Sequence, residues 1–177
     1  MLNNLWISQY TKVSFFGDHY WLVALPVCII ISIYLYKSQH KKEAFILVLS
    51  QLSPAYALFL KYVFKEQRPL IGQIRYHNVF NSYSFPSSHV VFYMAFWGFL
   101  AYLCFKLKKI RIWLRALILT ISMYHILLVG ISRVELGAHW PKDVIAGYLF
   151  GAIYLTFLII LDKKIGYSMG KNKNKDN

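Results

Sequence analysis

Acidic residues are the scarcest class in this chain: seven Asp and Glu stand against 20 Lys and Arg in 177 residues. A carboxylate cluster able to hold Mg²⁺ therefore has little to be built from. Charge of either sign is thin, at 15% of residues, while 58% are hydrophobic and 18% aromatic. That balance excludes an ordinary soluble domain and points to a membrane protein. The two cysteines, Cys28 and Cys104, fall in different apolar stretches at different depths, so no disulfide is expected and redox compartment is not indicated. No internal repeat and no second domain is visible.

Five stretches carry no Lys, Arg, Asp or Glu: Tyr20 to Tyr36, Ala44 to Leu60, Val90 to Phe105, Ala116 to Ser132 and Val144 to Leu161. Each is roughly 25 Å of helix at about 1.5 Å per residue and can borrow a flanking turn to span a core of about 30 Å. A buried helix of a soluble protein would keep a polar face, and these have almost none. The expected fold is an all-α integral membrane protein: a compact bundle of about five transmembrane helices over residues 20–162, preceded by an interfacial segment at 1–19 and followed by a basic cytoplasmic tail at 163–177. In the N-terminal segment Trp6, Phe15 and Phe16 suit the headgroup region. About 20 residues precede the first span and no small-residue cleavage site follows it, which argues against a cleaved signal peptide.

Charge placement sets the expected orientation. With the N-terminus outside, segments 37–43, 106–115 and 163–177 face inward and hold 13 of the 20 basic residues. The positive-inside rule thus favours N-out and C-in. The net charge of +13 then serves topology and anionic headgroups, and no nucleic-acid partner is needed to explain it.

On that topology three polar clusters share the outer face. In "KYVFKEQRP" Lys61 and Arg68 are seven apart, so a helix running to Pro69 would put both cations on one side. In "FPSSH" a proline and two serines lead into a helix beginning near His89, whose first turn offers backbone N–H groups to an anion. In "SRVELGAHWPKD" His139 and Asp143 are four apart across Pro141. A carboxylate in a first helical turn is favoured by the helix dipole and can accept the Nδ1 proton of an imidazole, leaving Nε2 free as a nucleophile. Taken singly, each cluster also reads as an ordinary helix end: snorkelling cations, a capped helix beside an interfacial histidine, a cap beside a surface histidine. Three on one face suggest a single site. Lys61, Arg68 and Arg133, two histidines, an orienting carboxylate and helix-terminal donors are what phosphoryl transfer asks for. A metal site fits worse, because the cations would repel a divalent ion.

These stretches resemble the signature of the phosphatidic acid phosphatase type 2 superfamily, KxxxxxxRP, then PSGH, then SRxxxxxHxxxD. The first and third match in full; "PSSH" departs at Ser88, where the family has glycine. The motifs occupy about 25 residues, and their order and setting extend the likeness from Ala44 to Leu161. The resemblance implies that His139 is the nucleophile that becomes phosphorylated, Asp143 its orienting partner, and His89 the general acid that protonates the leaving oxygen and then activates water. It implies a phosphate cradle of Lys61, Arg68 and Arg133 with Ser87 and the backbone around Ser88, where a serine either donates its hydroxyl or crowds the pocket. It implies no metal and no cofactor. Family members often have a sixth span, and a missing one would lie ahead of span one.

The resemblance further implies a lipid phosphate or diphosphate substrate whose chains stay in the bilayer, taken at the extracytoplasmic face beside the aromatic loop "RYHNVFNSYSF". Undecaprenyl diphosphate is favoured on chain length; phosphatidylglycerophosphate, phosphatidic acid and lipid A are the alternatives. A lipid phosphotransferase would use the same pocket, and vanadium haloperoxidases share the motifs without the membrane setting. A non-catalytic lipid binder would not need an oriented imidazole. Elsewhere Gly147 and Gly151 form a GxxxG pattern better suited to packing inside one bundle than to joining protomers. His125 suits an internal hydrogen bond, Pro54 should kink span two, and "GKNKNKDN" reads as a solvated, disordered end.

Overall fold

The computed structural model describes residues 12–13, 15–69, 83–108 and 110–173. Trp6 and most of the aromatic loop lie outside them. The chain is a helical bundle, as its unbroken apolar runs dictate. A π-helical turn at Tyr20–Ala24 leads into α1 (Leu25–Lys37); α2 (Lys41–Leu49), a 3₁₀ turn (Ser50–Leu52) and α3 (Ser53–Phe64) follow, then α4 (Ser88–Lys106), α5 (Ile112–Glu135) and α6 (Pro141–Lys173). Among the described residues, four segments are long and apolar enough to cross a membrane, Lys41–Phe64, Ser88–Lys106, Ile112–Glu135 and Pro141–Ile165, with a shorter apolar helix at Leu22–Lys37. Large apolar side chains such as Leu22, Ile30, Phe59, Ile112 and Ile145 point outward, as they do where lipid replaces water. The protein is an all-α integral membrane bundle.

Pro54 is the second residue of α3, just after the 3₁₀ turn, and the local chemistry shows how the span accommodates it. A proline in a helix cannot donate to the carbonyl four residues back, here that of Ser50. The Ser53 hydroxyl donates to Ser50 O instead, at 2.7 Å, and the Ser50 hydroxyl donates to Leu47 O at 2.6 Å. The freed acceptor is thus satisfied inside the span, and the helix passes through a short 3₁₀ turn without breaking.

The middle of the bundle is α4. Val90, Val91, Phe92, Tyr93, Ala95, Phe96 and Phe99 on this helix are all buried. Its closest neighbour is α6, because Gly147 and Gly151 let the two backbones meet. A Cβ on Gly147 would stand 2.8 Å from Val90 Cβ and 3.2 Å from Ser87 O; one on Gly151 would stand 2.6 Å from Met94 Cβ and 3.2 Å from Val91 O. The GxxxG pair therefore packs within the chain. Since the obstacles include backbone oxygens, Gly147→Ala is expected to cost about 1–3 kcal/mol through overpacking, seen as a lower midpoint of thermal unfolding in detergent.

One end of the bundle is tied by charge. Lys106 Nζ lies 2.7 Å from Glu43 Oε1 and also pairs with Asp162, which accepts from Tyr102 Oη at 2.7 Å and lies 3.4 Å from Lys42 Nζ. This network clamps α2, α4 and α6 together at the end opposite the three polar clusters. Cys28 and Cys104 are buried free thiols. His125 Nδ1 is 2.9 Å from Ile121 O and its ring stacks on Trp97, the internal bond its position suggested.

Three details differ from the sequence reading. The helix of the second span ends at Phe64, where Lys65 adopts a left-handed conformation with φ 52° and donates its N–H to Lys61 O. Arg68 is therefore off the helix, and helical phase does not set its place relative to Lys61. The backbone of α6 continues to Lys173, into the stretch read as a disordered end, since no proline interrupts it. Phe16 does not face outward: it packs against Phe92, Tyr93, Phe96 and Trp97 inside the bundle.

Candidate active site

The antiparallel run of the helices brings the end of α3, the start of α4, the end of α5 and the start of α6 to one end of the bundle. After Lys65 the chain is held by a bridge between Gln67 and Tyr83 and by Ser84 N–H donating to Glu66 O at 2.7 Å. Lys61 is 1% exposed and donates to Tyr83 O at 2.7 Å and Ser84 O at 3.0 Å. Two of its three N–H groups thus fix the strand-like entry to the "FPSSH" segment. Arg68, also buried, donates to Ala138 O at 2.8 Å, and its Nη1 lies 3.2 Å from His139 Nε2. A guanidinium only donates, so this contact leaves Nε2 as the acceptor and puts the imidazole proton on Nδ1.

His139 Nδ1 faces two groups, Ser84 Oγ at 3.3 Å and Asp143 Oδ2 at 3.4 Å. Ser84 Oγ in turn makes a short hydrogen bond to Asp143 Oδ2. The imidazole is therefore oriented by a serine and a carboxylate together, and Ser84 supplies much of the connection the sequence assigned to Asp143 alone. Asp143 sits in the first turn of α6 and accepts from Trp140 N–H at 2.9 Å, the carboxylate arm of a capping arrangement. Its backbone carbonyl accepts from Ser87 N–H at 3.1 Å, which locks the start of α4 to the start of α6.

Ser87 is the N-cap of α4, yet its hydroxyl makes no capping bond and has no hydrogen-bond partner among the described residues although it is buried. An unpaired buried hydroxyl costs on the order of 1–3 kcal/mol unless a ligand atom meets it. Ser88 is the first residue of the helix, where backbone N–H groups lack intrahelical acceptors. One residue on, His89 places Nε2 2.9 Å from Asp18 Oδ1, and the same oxygen lies 3.2 Å from Nη1 of the buried Arg133. Asp18 was not singled out from the sequence; a lone acid in an N-terminal segment gives no signal of a partner so far along the chain. Its carboxyl is partly buried, which raises its pKa, but His89 and Arg133 outweigh that and hold it below the ordinary carboxylate value.

His139 is held well below the ordinary histidine value, first by burial and then by the charges of Lys61, Arg68, Arg133 and His89. Four of the predicted site residues thus act on this one ring. The sign of the consequence is clear: below about pH 6.5 an unfolded chain protonates this histidine and the folded chain does not. Stability is therefore expected to fall as pH drops below about 6.5, and His139→Gln is expected to flatten that slope in thermal melts at pH 5 and 7. Among the described residues, no three His, Cys, Asp or Glu side chains come together as a metal-ligand set.

The description "PAP2 superfamily" belongs to a family model that matches residues 22–167. The chain is 26% identical to YbjG of Escherichia coli (strain K12), provisionally named an undecaprenyl-diphosphatase, with 96% of this chain and 88% of that protein aligned. It is 24% identical to phosphatidylglycerophosphatase B of Bacillus subtilis (strain 168) across 93% of this chain and 80% of that protein. Its fold is similar to the crystal structure of a transmembrane PAP2 type phosphatidylglycerolphosphate phosphatase from Bacillus subtilis, with a TM-score of 0.75, 24% identity and coverage of 91% of this chain and 78% of that one.

Proposed function

The chain belongs to the PAP2 superfamily, and on that premise we propose that it is a membrane lipid phosphatase working through a phosphohistidine on His139. The observation that carries this reading is the convergence of buried Lys61, Arg68 and Arg133 on a histidine whose Nε2 faces a guanidinium and whose Nδ1 faces Ser84 and Asp143. Cations around a neutral imidazole are useless for holding a metal and well suited to a phosphoryl group, whose transferring oxygens carry the charge. His139 Nε2 attacks phosphorus as the P–O bond to the lipid breaks. His89 gives its proton to the leaving oxygen and then takes one from the water that cleaves the phosphohistidine. Arg68, Arg133 and Lys61 bind the phosphoryl oxygens, with the Ser87 hydroxyl and the backbone at Ser88 completing the cradle. The Ser88 side chain stands half-buried at the helix start, where the family has glycine.

Undecaprenyl diphosphate is the substrate this reading favours, and similarity to YbjG over nearly the whole chain supports it. Phosphatidylglycerophosphate is the second reading, supported by the similarity to phosphatidylglycerophosphatase B. The active end faces the extracytoplasmic side, with the N-terminus outside and the basic segments inside, on the strength of the positive-inside count. The transmembrane phosphatase domain covers 20–162, with the C-terminal end in the cytoplasm.

The test is phosphate release in detergent from a panel of undecaprenyl diphosphate, phosphatidylglycerophosphate, phosphatidic acid and lipid A, with excess chelator throughout. Release that persists under chelation is expected, fastest with the undecaprenyl lipid. Release only when Mg²⁺ is restored would refute the metal-free mechanism, and no release from any lipid by folded protein would refute the phosphatase.

A further inference from the structure

The N-terminal stretch before α1 is built against His89. Val13 is 1% exposed, and its carbonyl accepts from Tyr93 Oη at 2.5 Å; the same hydroxyl accepts from Gly17 N–H at 3.0 Å. Phe16 inserts among the aromatic rings of α4, stacking on Phe96 and meeting Tyr93 edge-on. Gly17 then passes so close to the imidazole that a Cβ there would stand 2.4 Å from His89 Cδ2 and 2.9 Å from Nε2. The next residue delivers its carboxylate to Nε2 at 2.9 Å. Two hydrogen bonds, an aromatic anchor and a glycine-only approach converge on that one contact.

His89 needs such a partner for the role proposed above. Its surroundings are positive: Arg133 from α5 and Arg68 from the chain after α3, with the neutral His139 in the turn before α6 and Tyr93 one turn along its own helix. A general acid without its proton does nothing, and a carboxylate at Nε2 offsets those positive charges. We propose that Asp18 is the positioning residue of the general acid, a carboxylate that favours the charged form of His89 and holds its ring beside Arg133 until the leaving oxygen replaces Oδ1 at Nε2. This rests on the phosphatase reading. Asp18 takes no proton in the cycle: the imidazolium proton goes to the leaving oxygen, the attacking water returns one to the same nitrogen, and the carboxylate stabilises the charged form before and after. Its Oδ1 also touches Arg133, so between turnovers one oxygen holds both groups that a substrate oxygen later engages.

The experiment is the pH profile of kcat, together with KM, on the lipid phosphate that the wild type hydrolyses fastest, for Asp18→Asn, Asp18→Glu and Gly17→Ala. Asp18→Asn is expected to lose at least about tenfold in kcat at pH 7 and to move the alkaline limb lower by about one pH unit or more, with KM not raised. Asp18→Glu should restore most of both. Gly17→Ala, which pushes the segment off the His89 ring while keeping the carboxylate, should move the limb in the same direction and carries the test should Asp18→Asn not fold. An active wild type with an unmoved limb in these variants, or an equal loss at every pH without rescue by glutamate, overturns the proposal and leaves the phosphatase reading standing. A wild type that releases no phosphate from any lipid overturns both.

Discussion

His139→Ala is expected to lower lipid phosphate hydrolysis by about four orders of magnitude or more, because it removes the atom proposed to accept the phosphoryl group. The structure allows this to be separated from a binding defect. His139 is buried and contributes no cation to the cradle, so Lys61, Arg68 and Arg133 remain to hold the phosphate when the ring is gone. KM is therefore expected to change far less than kcat. Acid-labile, base-stable phosphate should be trapped on the wild-type chain after rapid mixing with substrate and be absent from the variant. Trapping on a residue other than His139, or undiminished release by the alanine variant, would overturn the assignment.

The second large effect is expected at Asp143. Asp143→Asn keeps the size of the side chain but replaces an acceptor-only group with one that also donates. In the native arrangement Nδ1 of His139 needs an acceptor, because Nε2 faces the Arg68 donor at 3.2 Å. With asparagine the Ser84 hydroxyl, the Trp140 N–H and the imidazole no longer share one anionic acceptor, and the tautomer with its proton on Nε2 becomes available. That tautomer cannot attack phosphorus. By analogy with other carboxylate-oriented imidazoles, a fall in kcat of about 10³–10⁴ is expected. Nitrogen-15 chemical shifts of the His139 ring would report the tautomer directly; an unchanged ring with full activity would refute the orienting role. The Asp143 carboxylate also caps α6, so a lower melting temperature should accompany the kinetic loss, by about 1 kcal/mol for the cap alone.

Much of the site was legible because it is local in the chain. Lys61, Arg68, Ser87, Ser88, His89, Arg133, His139 and Asp143 stand in three short motifs, and the motif spacing puts each at a helix end. What was not legible is how those residues are joined. Arg68 reaches His139 through a left-handed turn at Lys65 that a lysine does not advertise. Ser84 lies three residues ahead of the recognised serine and is brought to His139 by long-range bonds, its carbonyl accepting from Lys61 and its N–H donating to Glu66 O. The ionic network of Lys42, Glu43, Lys106 and Asp162 was similarly invisible, since its members read as ordinary charges flanking spans.

By itself the sequence determined the solvent of this protein, its all-α spanning architecture, its family and the residues of its candidate site. Those properties depend on composition, on runs of about 17 residues and on motifs read along the chain, so no knowledge of the third dimension is required. Only the tertiary structure decided that α4 is the central helix, that Phe16 packs inward and that Asp18 rests on His89. The physical reason is the same for all three. Helices bounded by lipid are apolar on every side, so no polar stripe marks which face meets protein. Once packing has chosen the faces, polar side chains distant in sequence find each other by proximity alone.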